Sequence, residues 1–396
     1  MGKLQEATDE LNKALSIVKD NNADYEIAVT YANLANSYMA LGDTENAKKS
    51  ALLSKETFEK INELGSHYAS ALYILGLIEK KDNNNEEAGT YLRNALNLVE
   101  DELGFGTFYE RIKEQLDEID SDVHGMDICR EFYEEYFKPQ LDKEFKEYKS
   151  EIAVGLVGRG SDCYGYDDKE SRDHDWGPGF MIFVTKETYD MFGDKLEEAY
   201  NNLPKEYKGY KCARTVSAHK RRGVFVIEDY YKDLLGIWPL KDEDYKIIPD
   251  YALSTSVNGE VFTDPKGIFT SIRNELKKGY PEDVRLLKIA ESAAKFSQCI
   301  QYNAPRMRKR LDLLTESVMI SDGIKEAMKL AHYIENKYPP HDKWLFKSSK
   351  ELSFGHEFKD LLLRVKNGEN PDRLGEFFSR YLYDLGFISD IDPYLD

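Results

Sequence analysis

Two segments of the chain repeat each other after a shift of 41 residues, from residues 31–54 to residues 72–95. The matched positions include small residues in both copies, Ala35 with Gly76 and Ala47 with Ala88. Small residues recur where two antiparallel helices must touch closely, and the polar residues at 42–43 and 82–85 supply turns between helices. The repeat therefore predicts stacked helical hairpins near the N-terminus.

This pattern resembles tetratricopeptide repeats of the longer-period kind. Ala7, Leu11 and Ala14 match the second helix of a further unit, so we expect the chain to open halfway through a repeat. Tetratricopeptide arrays usually bind a peptide or protein in a concave groove. Residues 1–125 contain 12 Lys and Arg against 24 Asp and Glu, which favours a basic segment as the ligand. The alternative is that so few repeats only support the neighbouring domain.

The composition is that of a globular protein with more than one domain. At 396 residues the chain is long enough for two or three hydrophobic cores. Its apolar runs all fall short of a membrane span, and its first residues lack the profile of a signal peptide. The four cysteines have no metal-ligand or redox spacing, so we expect a cytoplasmic protein. The net charge of −19 argues against an extended nucleic-acid partner, which needs many phosphate-neutralising cations.

A cluster of glycine, serine and acidic residues lies within residues 158–178. The apolar run at residues 152–157 predicts a buried strand before it, and a second strand is predicted around residues 175–184. Between the two strands, Gly160 and Ser161 would let backbone N–H groups approach a phosphate closely. The predicted order is therefore a strand, a phosphate-binding turn, an acidic loop and a second strand.

The acidic loop closes on Asp173, His174 and Asp175. Alternate residues of a strand point to the same face, so the two carboxylates would lie together and suit a divalent metal ion. His174 would point to the opposite face, and we interpret it as structural. The adjacent Asp167 and Asp168 have an ordinary alternative as a solvated loop or a helix cap.

The spacing of Gly160-Ser161, eleven further residues and then Asp173-x-Asp175 resembles the signature of the polymerase-beta-like nucleotidyltransferase superfamily. In that superfamily the glycine-serine turn contacts the terminal phosphates of a nucleotide, and the paired acids bind Mg²⁺ or Mn²⁺. The resemblance implies that Gly160 and Ser161 bind nucleotide and that Asp173 and Asp175 are catalytic metal ligands.

The longer string from Gly158 to Pro178 resembles a bacterial nucleotidyltransferase-like family catalogued as domain of unknown function 4037. A few of its members carry N-terminal tetratricopeptide repeats. The resemblance covers roughly residues 127–350, because further motifs follow in the order that this family shows. They are Gly259-Glu260-Val261-Phe262-x-Asp264 with Arg273, Gln301-x-Asn303 with Arg306 and Arg310, and Tyr338-Pro339-Pro340-x-x-Lys343-Trp344.

The resemblance also implies further site residues. The superfamily usually supplies a third carboxylate from a later strand, and Glu228 at the end of residues 223–228 is the candidate, since alternation places it apart from Asp229. Lys343 resembles a helical-domain lysine that contacts the triphosphate. Arg306 and Arg310 lie one helical turn apart and suit a phosphate, although pairing with Asp312 or Glu316 is the alternative.

The sequence predicts a multidomain α and α/β protein. Helical repeats would occupy residues 1–125, a small nucleotidyltransferase-like sheet domain residues 126–280, and a helical domain that completes the nucleotide and acceptor cleft residues 281–396. The predicted function is Mg²⁺-dependent transfer of a nucleoside monophosphate from an NTP, with ATP preferred, to a hydroxyl of a small molecule or protein. The alternative is a scaffold or sensor that binds nucleotide without turnover while its repeats bind a protein.

Overall fold

The computed structural model describes residues 2–120, 123–171, 176–213 and 220–395. Asp173 and Asp175 lie outside the described residues. The helices and strands follow in chain order: α1 Gly2–Asp20, α2 Asp24–Leu41, α3 Thr44–Ile61, α4 Ser66–Lys81, α5 Asn85–Leu103, α6 Thr107–Ile119, α7 Gly125–Phe132, α8 Lys138–Lys143, β1 Ala153–Leu156, β2 Met181–Val184, α9 Lys186–Asn201, β3 Glu206–Tyr207, β4 Tyr210–Lys211, β5 Gly223–Val226, α10 Ile227–Leu235, α11 Asp250–Val257, β6 Glu260–Thr263, α12 Ile268–Leu276, α13 Glu282–Phe296, α14 Ala304–Lys309, α15 Leu313–Ile334, α16 Asp342–Ser349, α17 Gly355–Lys366 and α18 Asp372–Asp384.

The chain forms two compact units, and each is built from separate stretches of sequence. The repeat unit contains Met1–Lys138, Asp167–Gly179 and Asn202–Lys220, and the sheet unit contains Pro139–Tyr166, Phe180–Asn201 and Arg221–Asp396. This division differs from the three consecutive domains predicted from the sequence. The physical reason is that the strands and the C-terminal helices share one hydrophobic core, which extends from Ala153 to Leu395. The predicted combination of helical and α/β architecture is confirmed.

In the repeat unit, α2–α3 and α4–α5 form the two helical hairpins that the 41-residue repeat predicts. A Cβ atom added to Gly76 would lie 2.5 Å from the Leu92 side chain, which shows how closely α4 and α5 approach. Ala35, Ala47 and Ala88 are completely buried. The small residues of the repeat therefore lie at helix contacts, as predicted.

Local signals set the boundary between α2 and α3. Gly42 ends α2 in the left-handed conformation at φ +82°, which glycine adopts without a steric penalty. Asp43 then caps α3, because its side chain accepts a hydrogen bond from the Asn46 backbone N–H at 3.1 Å. The Gly-Asp pair thus makes the turn that the sequence predicts at this point.

The sheet unit contains a four-stranded sheet in the order β5-β2-β1-β6. β1 pairs antiparallel with β2, and Gly155 lies opposite Met181. β5 runs parallel to β2, with Met181 opposite Gly223 and Val184 opposite Val226. The predicted strand within residues 152–157 is confirmed as β1, whereas the second strand begins at Met181 and not near residue 175.

The core of the sheet unit joins the sheet to the helices that follow it. Phe183 of β2 stacks on Phe269 of α12, with ring centroids 3.9 Å apart. Farther along the chain, Phe296, Phe358 and Phe378 are fully buried in the same cluster. Burying aromatic rings from both regions stabilises them as one folding unit. Within the described ranges, no helix has the combined length and apolar character needed to cross a membrane.

Candidate functional site

The turn that follows β1 is held in place by Asn258, which directly follows α11. The Gly158 backbone N–H donates to Asn258 Oδ1 at 2.7 Å, and Asn258 Nδ2 donates back to the Gly158 carbonyl at 2.8 Å. Gly158 itself has φ +91°, and an added Cβ would lie 2.7 Å from the Tyr230 hydroxyl. Only glycine fits this position without displacing its neighbour.

Arg273 stabilises the backbone around Asn258 through hydrogen bonds. Its guanidinium is 2% exposed and donates to the carbonyl oxygens of Val257, Asn258 and Gly259 at 3.1, 2.8 and 3.2 Å. These carbonyls lie at the end of α11, where a helix leaves acceptors without internal donors. Arg273 therefore fixes the chain on both sides of Asn258. Burial lowers the pKa of the Arg273 guanidinium.

Gly160 and Asp162 shape the next part of the turn. Gly160 has φ +138°, and a Cβ at this position would lie 2.2 Å from Asp162 Oδ1. The Asp162 side chain is buried, accepts from the Cys163 backbone N–H at 2.8 Å and forms an ion pair with Arg222 at 2.7 Å. The Asp162 carboxylate therefore stabilises the turn itself.

The backbone donors between these fixed points are free of partners within the part of the chain that the structure describes. Among the residues that the structure describes, the N–H groups of Arg159, Gly160 and Ser161 make no hydrogen bond. The Arg159 side chain is turned aside, because its guanidinium pairs with Asp233 of α10 at 2.8 Å. Consecutive backbone N–H groups in a glycine-containing turn can hold an anion such as a phosphate. Gly160 and Ser161 lie in this turn, and their binding of phosphate stays a prediction.

An open cavity of about 360 Å³ lies beside this turn, entirely within the sheet unit. This volume falls in the lower part of the range of small-molecule sites. Its wall comes from the segment after the turn, the end of α11, the end of α12 and the helices α15 and α16 with their flanking residues. The lining residues are Cys163, Tyr164, Tyr166, Ser254, Val257, Asn258, Gly259, Lys277, His332, Asn336, Lys337, Tyr338, Ser348 and Glu351.

Hydrogen bonds hold several polar groups of the cavity wall. The Tyr166 hydroxyl donates to Glu351 Oε2 at 2.6 Å, and the pKa of Tyr166 is raised by burial and by Glu351. His332 lies 2.7 Å from the Met328 carbonyl through Nδ1 and 2.9 Å from the Ser348 hydroxyl through Nε2. A carbonyl can only accept, so Nδ1 carries the proton and Nε2 accepts from Ser348. Burial lowers the pKa of His332 to about 4, so this histidine is neutral near pH 7.

Lys277 and Lys337 also line the cavity, and sequence reasoning missed both of them. Lys337 forms an ion pair with Glu335 at 2.7 Å. Lys277 directly follows α12 and has no ion pair among the described residues. Its pKa is lowered by burial and by the nearby charge of Arg273. Single lysines at helix ends have no local signature, so only the folded chain reveals their position.

The lysine and arginines predicted to bind nucleotide lie elsewhere in the sheet unit. Lys343 is exposed on α16, with its Nζ 4.4 Å from the centroid of the Trp344 ring, and it does not line the cavity. Trp344 packs 4.8 Å from Tyr164, centroid to centroid. Lys343 thus reaches the cavity region only through an aromatic contact.

Arg306 and Arg310 are both exposed, and neither lines the cavity. The Arg306 guanidinium stacks 3.5 Å from the centroid of the Tyr302 ring. The predicted alternative, a pairing with Asp312 or Glu316, belongs instead to Arg308, which contacts Glu316 at 2.5 Å. Asp312 caps α15 by accepting from the Thr315 backbone N–H at 3.2 Å.

The prediction that Glu228 ends a strand is wrong, because β5 stops at Val226 and Glu228 lies exposed in the first turn of α10. The strand register explains why Glu228 lies away from the turn that follows β1. Val226 lies opposite Val184, at the end of the sheet where β1 begins, whereas the turn leaves the other end of β1. α10 runs back toward the turn, so Asp233 and not Glu228 reaches Arg159.

Asp173 and Asp175 lie outside the described residues, so the predicted metal site stays a prediction. The residues on either side of them belong to the repeat unit. There Asp167 Oδ2 accepts from Trp176 Nε1 at 3.0 Å and from the Gly125 backbone N–H at 2.7 Å. Asp167 is therefore a buried anchor and not a solvated loop residue. In the described ranges, no three His, Cys, Asp or Glu side chains are grouped to hold a metal ion.

The repeat unit carries a second pocket, of about 1010 Å³, between α3, α4 and α5. Three carboxylates and one lysine line it: Glu59, Glu86, Glu87 and Lys55. Glu59 pairs with Lys55 at 2.9 Å and Glu86 with Lys208 at 2.7 Å. Glu87 accepts only a 3.3 Å hydrogen bond from Tyr91 among the described residues, so the pocket keeps an unneutralised carboxylate.

Family models match two parts of the chain. Residues 245–345 match a domain of unknown function (DUF4037), and residues 28–61 match a tetratricopeptide repeat. The first span includes Asn258, Arg273 and Lys277, and the second falls on the hairpin α2–α3. These matches confirm the resemblances to the domain of unknown function and to tetratricopeptide repeats. The string from Gly158 to Pro178 lies outside the matched residues, and the resemblance to the polymerase-beta-like nucleotidyltransferase superfamily stays a prediction. Neither the curated proteins nor the solved structures give a significant match to the chain.

Proposed function

We propose that the protein is a nucleotidyltransferase that moves a nucleoside monophosphate, with AMP from ATP preferred, to a hydroxyl of a small molecule or protein. The observation that supports this most directly is the turn after β1, where the N–H groups of Arg159, Gly160 and Ser161 have no partner among the described residues. Asn258 and Arg273 fix this turn before any ligand arrives. Such preorganised donors suit the phosphates of an NTP.

In the proposed reaction, the acceptor hydroxyl oxygen attacks the α-phosphorus of the NTP. The bond from that phosphorus to the bridging oxygen breaks, and pyrophosphate leaves. The backbone N–H groups of the turn would hold phosphate oxygens and neutralise part of their charge. Asp173 and Asp175 would hold Mg²⁺ or Mn²⁺, which supplies further charge neutralisation when bound. Because β5 ends at the opposite end of the sheet from the turn, we leave Glu228 out of the proposed scheme, and the hydroxyl proton passes to solvent water.

The test uses NTPs labelled at the α-phosphate, incubated with the full chain, Mg²⁺ or Mn²⁺ and a cell extract. We expect label transfer and pyrophosphate release with the natural sequence, and loss of both in the Asp173→Ala/Asp175→Ala variant. Chromatography of the product separates a small-molecule acceptor from a polypeptide. If no NTP supports transfer while metal-dependent NTP binding persists, the enzyme assignment fails and the nucleotide-binding sensor replaces it.

The repeat unit has a separate proposed role, which is to recruit a basic polypeptide segment. Tetratricopeptide repeats commonly mediate protein interactions. The pocket between α3, α4 and α5 has the size and the surplus of carboxylates that a Lys or Arg side chain would complement. This supports a basic ligand over an acidic one.

Titration of lysine-rich and glutamate-rich peptides of equal length tests this role. We expect the lysine-rich peptide to bind more tightly, and we expect Glu87→Lys to weaken its binding by charge repulsion. The control is Glu10→Lys on α1, which adds the same charge at an exposed position outside the pocket. Equal weakening by both variants would assign the effect to net charge and overturn the role of the pocket.

A further inference from the structure

The cavity of the sheet unit contains a surplus of positive charge that the protein itself does not neutralise. Arg273 is buried, and all of its hydrogen bonds go to neutral backbone carbonyls. Lys277, four residues later, lies at the cavity wall, and neither residue has a carboxylate partner among the described residues. Lys277 is exposed at the cavity wall, and the like charges of Lys277 and Arg273 repel each other at a cost in free energy. An anionic ligand in the cavity would remove this cost.

The other polar groups of the wall do not supply that anion. Glu351 lines the cavity, but one of its oxygens accepts the Tyr166 hydroxyl, and no contact joins it to Lys277. Glu335 is engaged with Lys337. His332 is neutral and bonded on both nitrogens. The wall therefore offers cations and hydroxyl groups to a ligand, with one partly occupied carboxylate.

We infer that this cavity binds a small molecule through its phosphate group, with Lys277 as the cation that contacts the phosphate and the buried Arg273 as the second positive charge nearby. A phosphate monoester carries nearly two negative charges near pH 7 and several strong acceptor oxygens, whereas a carboxylate carries one charge. The phosphate therefore matches two cations better. Tyr164 and Tyr166 supply aromatic surface for the rest of the ligand. The inference concerns binding and does not depend on nucleotidyl transfer.

Two kinds of ligand carry such a phosphate group: an NTP, and a separate phosphorylated acceptor or effector. Gly160 and Ser161 are not part of the cavity wall, although Asn258, which holds the turn, is. Competition between inorganic phosphate and ATP therefore distinguishes the sources. Displacement of phosphate by ATP assigns the cavity to the NTP, and simultaneous binding assigns it to a second phosphorylated molecule.

The experiment measures binding of inorganic phosphate to the full chain by phosphorus NMR line broadening at constant ionic strength. We expect Lys277→Met to weaken phosphate binding about ten-fold, as the loss of a charge-assisted hydrogen bond predicts. Lys278→Met is the matched control, since its exposed side chain pairs with Glu275 outside the cavity. Lys277→Arg keeps the charge and should retain binding, which separates loss of charge from altered folding.

Three results would overturn the inference. The first is no phosphate binding to the natural sequence. The second is equal phosphate binding by the natural sequence and by Lys277→Met. The third is displacement of phosphate by acetate at equal concentration, which would identify a carboxylate site. Thermal unfolding of each variant accompanies the titrations, so that a folding defect is recognised as such.

Discussion

Asn258 and Gly158 exchange two hydrogen bonds, at 2.8 and 2.7 Å, across 100 residues of sequence. Through this pair, the segment between α11 and β6 sets the backbone of the turn that follows β1. The amide of Asn258 provides both the donor and the acceptor that the Gly158 peptide groups need. The turn is therefore rigid because of a residue that belongs to a distant part of the chain.

Replacing Asn258 with alanine should loosen the turn. Both Gly158 groups would lose their partners, which costs about 1–3 kcal/mol of the free energy of unfolding. Urea denaturation measures this loss, and NTP titration should show weaker binding. The control is Asn370→Ala, because Asn370 is exposed and bonds only to nearby Asp372. Equal stability of the Asn258→Ala variant and the natural sequence would contradict the assigned role.

Replacing Gly160 with alanine should disturb the phosphate turn itself. The new Cβ would lie 2.2 Å from Asp162 Oδ1 at a φ of +138°, so the backbone must move. Gly165→Ala is the control, since its φ of +66° is also left-handed but no atom lies within 4 Å of the added Cβ. We expect both variants to lose roughly 1–2 kcal/mol of stability from backbone strain. Only Gly160→Ala should weaken NTP binding, as measured by titration.

Replacing Asp162 with asparagine should strongly destabilise the sheet unit. Asp162 and Arg222 form a buried ion pair with side chains 3% and 4% exposed, and the substitution removes the charge of the carboxylate while Arg222 stays buried. Such a loss costs about 3–5 kcal/mol. Glu275→Gln, which breaks an exposed pair with Lys278, should cost about 0–1 kcal/mol. Chemical denaturation of both variants checks this contrast, and similar losses would show that burial does not govern the Asp162 pair.

His332 should make stability fall as the pH is lowered. Its folded-state pKa of about 4 lies below the ordinary value of 6.5, so the unfolded chain takes up a proton first. The contribution of neutral His332 is complete above pH 6.5 and is lost progressively toward pH 4, by on the order of 3 kcal/mol. Thermal unfolding between these pH values should show a shallower pH dependence for His332→Gln than for the natural sequence.

His356 provides the control for this pH experiment, because its side chain is exposed. His356→Gln makes the same substitution at an exposed position of the sheet unit and so controls for the exchange of histidine for glutamine itself. If His332→Gln and the natural sequence lose stability in parallel, His332 does not stay neutral in the folded protein.

Local patterns predicted the parts of the fold that depend on neighbouring residues. The 41-residue repeat located the two helical hairpins because small residues must recur wherever helices approach, as Gly76 does against Leu92. The apolar run before Gly158 predicted β1 because a buried strand needs no polar face. The turn at residues 158–160 was predicted for a similar reason, since backbone with positive φ selects glycine at Gly158 and Gly160.

Contacts between distant segments were not predictable from such patterns. Asn258 directly precedes the Gly259–Asp264 motif and Lys277 follows Arg273 by four residues, but only folding brings them to the turn and the cavity. Glu228 was misplaced because an apolar run followed by acids fits either a longer strand or the start of a helix. The acids at the start of α10 favour the helix, since they interact well with its N-terminal dipole.

The proposed function depends on the binding of NTP phosphates by the turn after β1. Its most direct test is the amide NMR spectrum of the full chain, titrated with ATP and Mg²⁺. We predict that the N–H signals of Arg159, Gly160 and Ser161 shift together as phosphate binds to these donors, and that Gly160→Ala loses this response. Saturating ATP that leaves these three signals unmoved, while ATP binding is detected elsewhere on the protein, would contradict the claim.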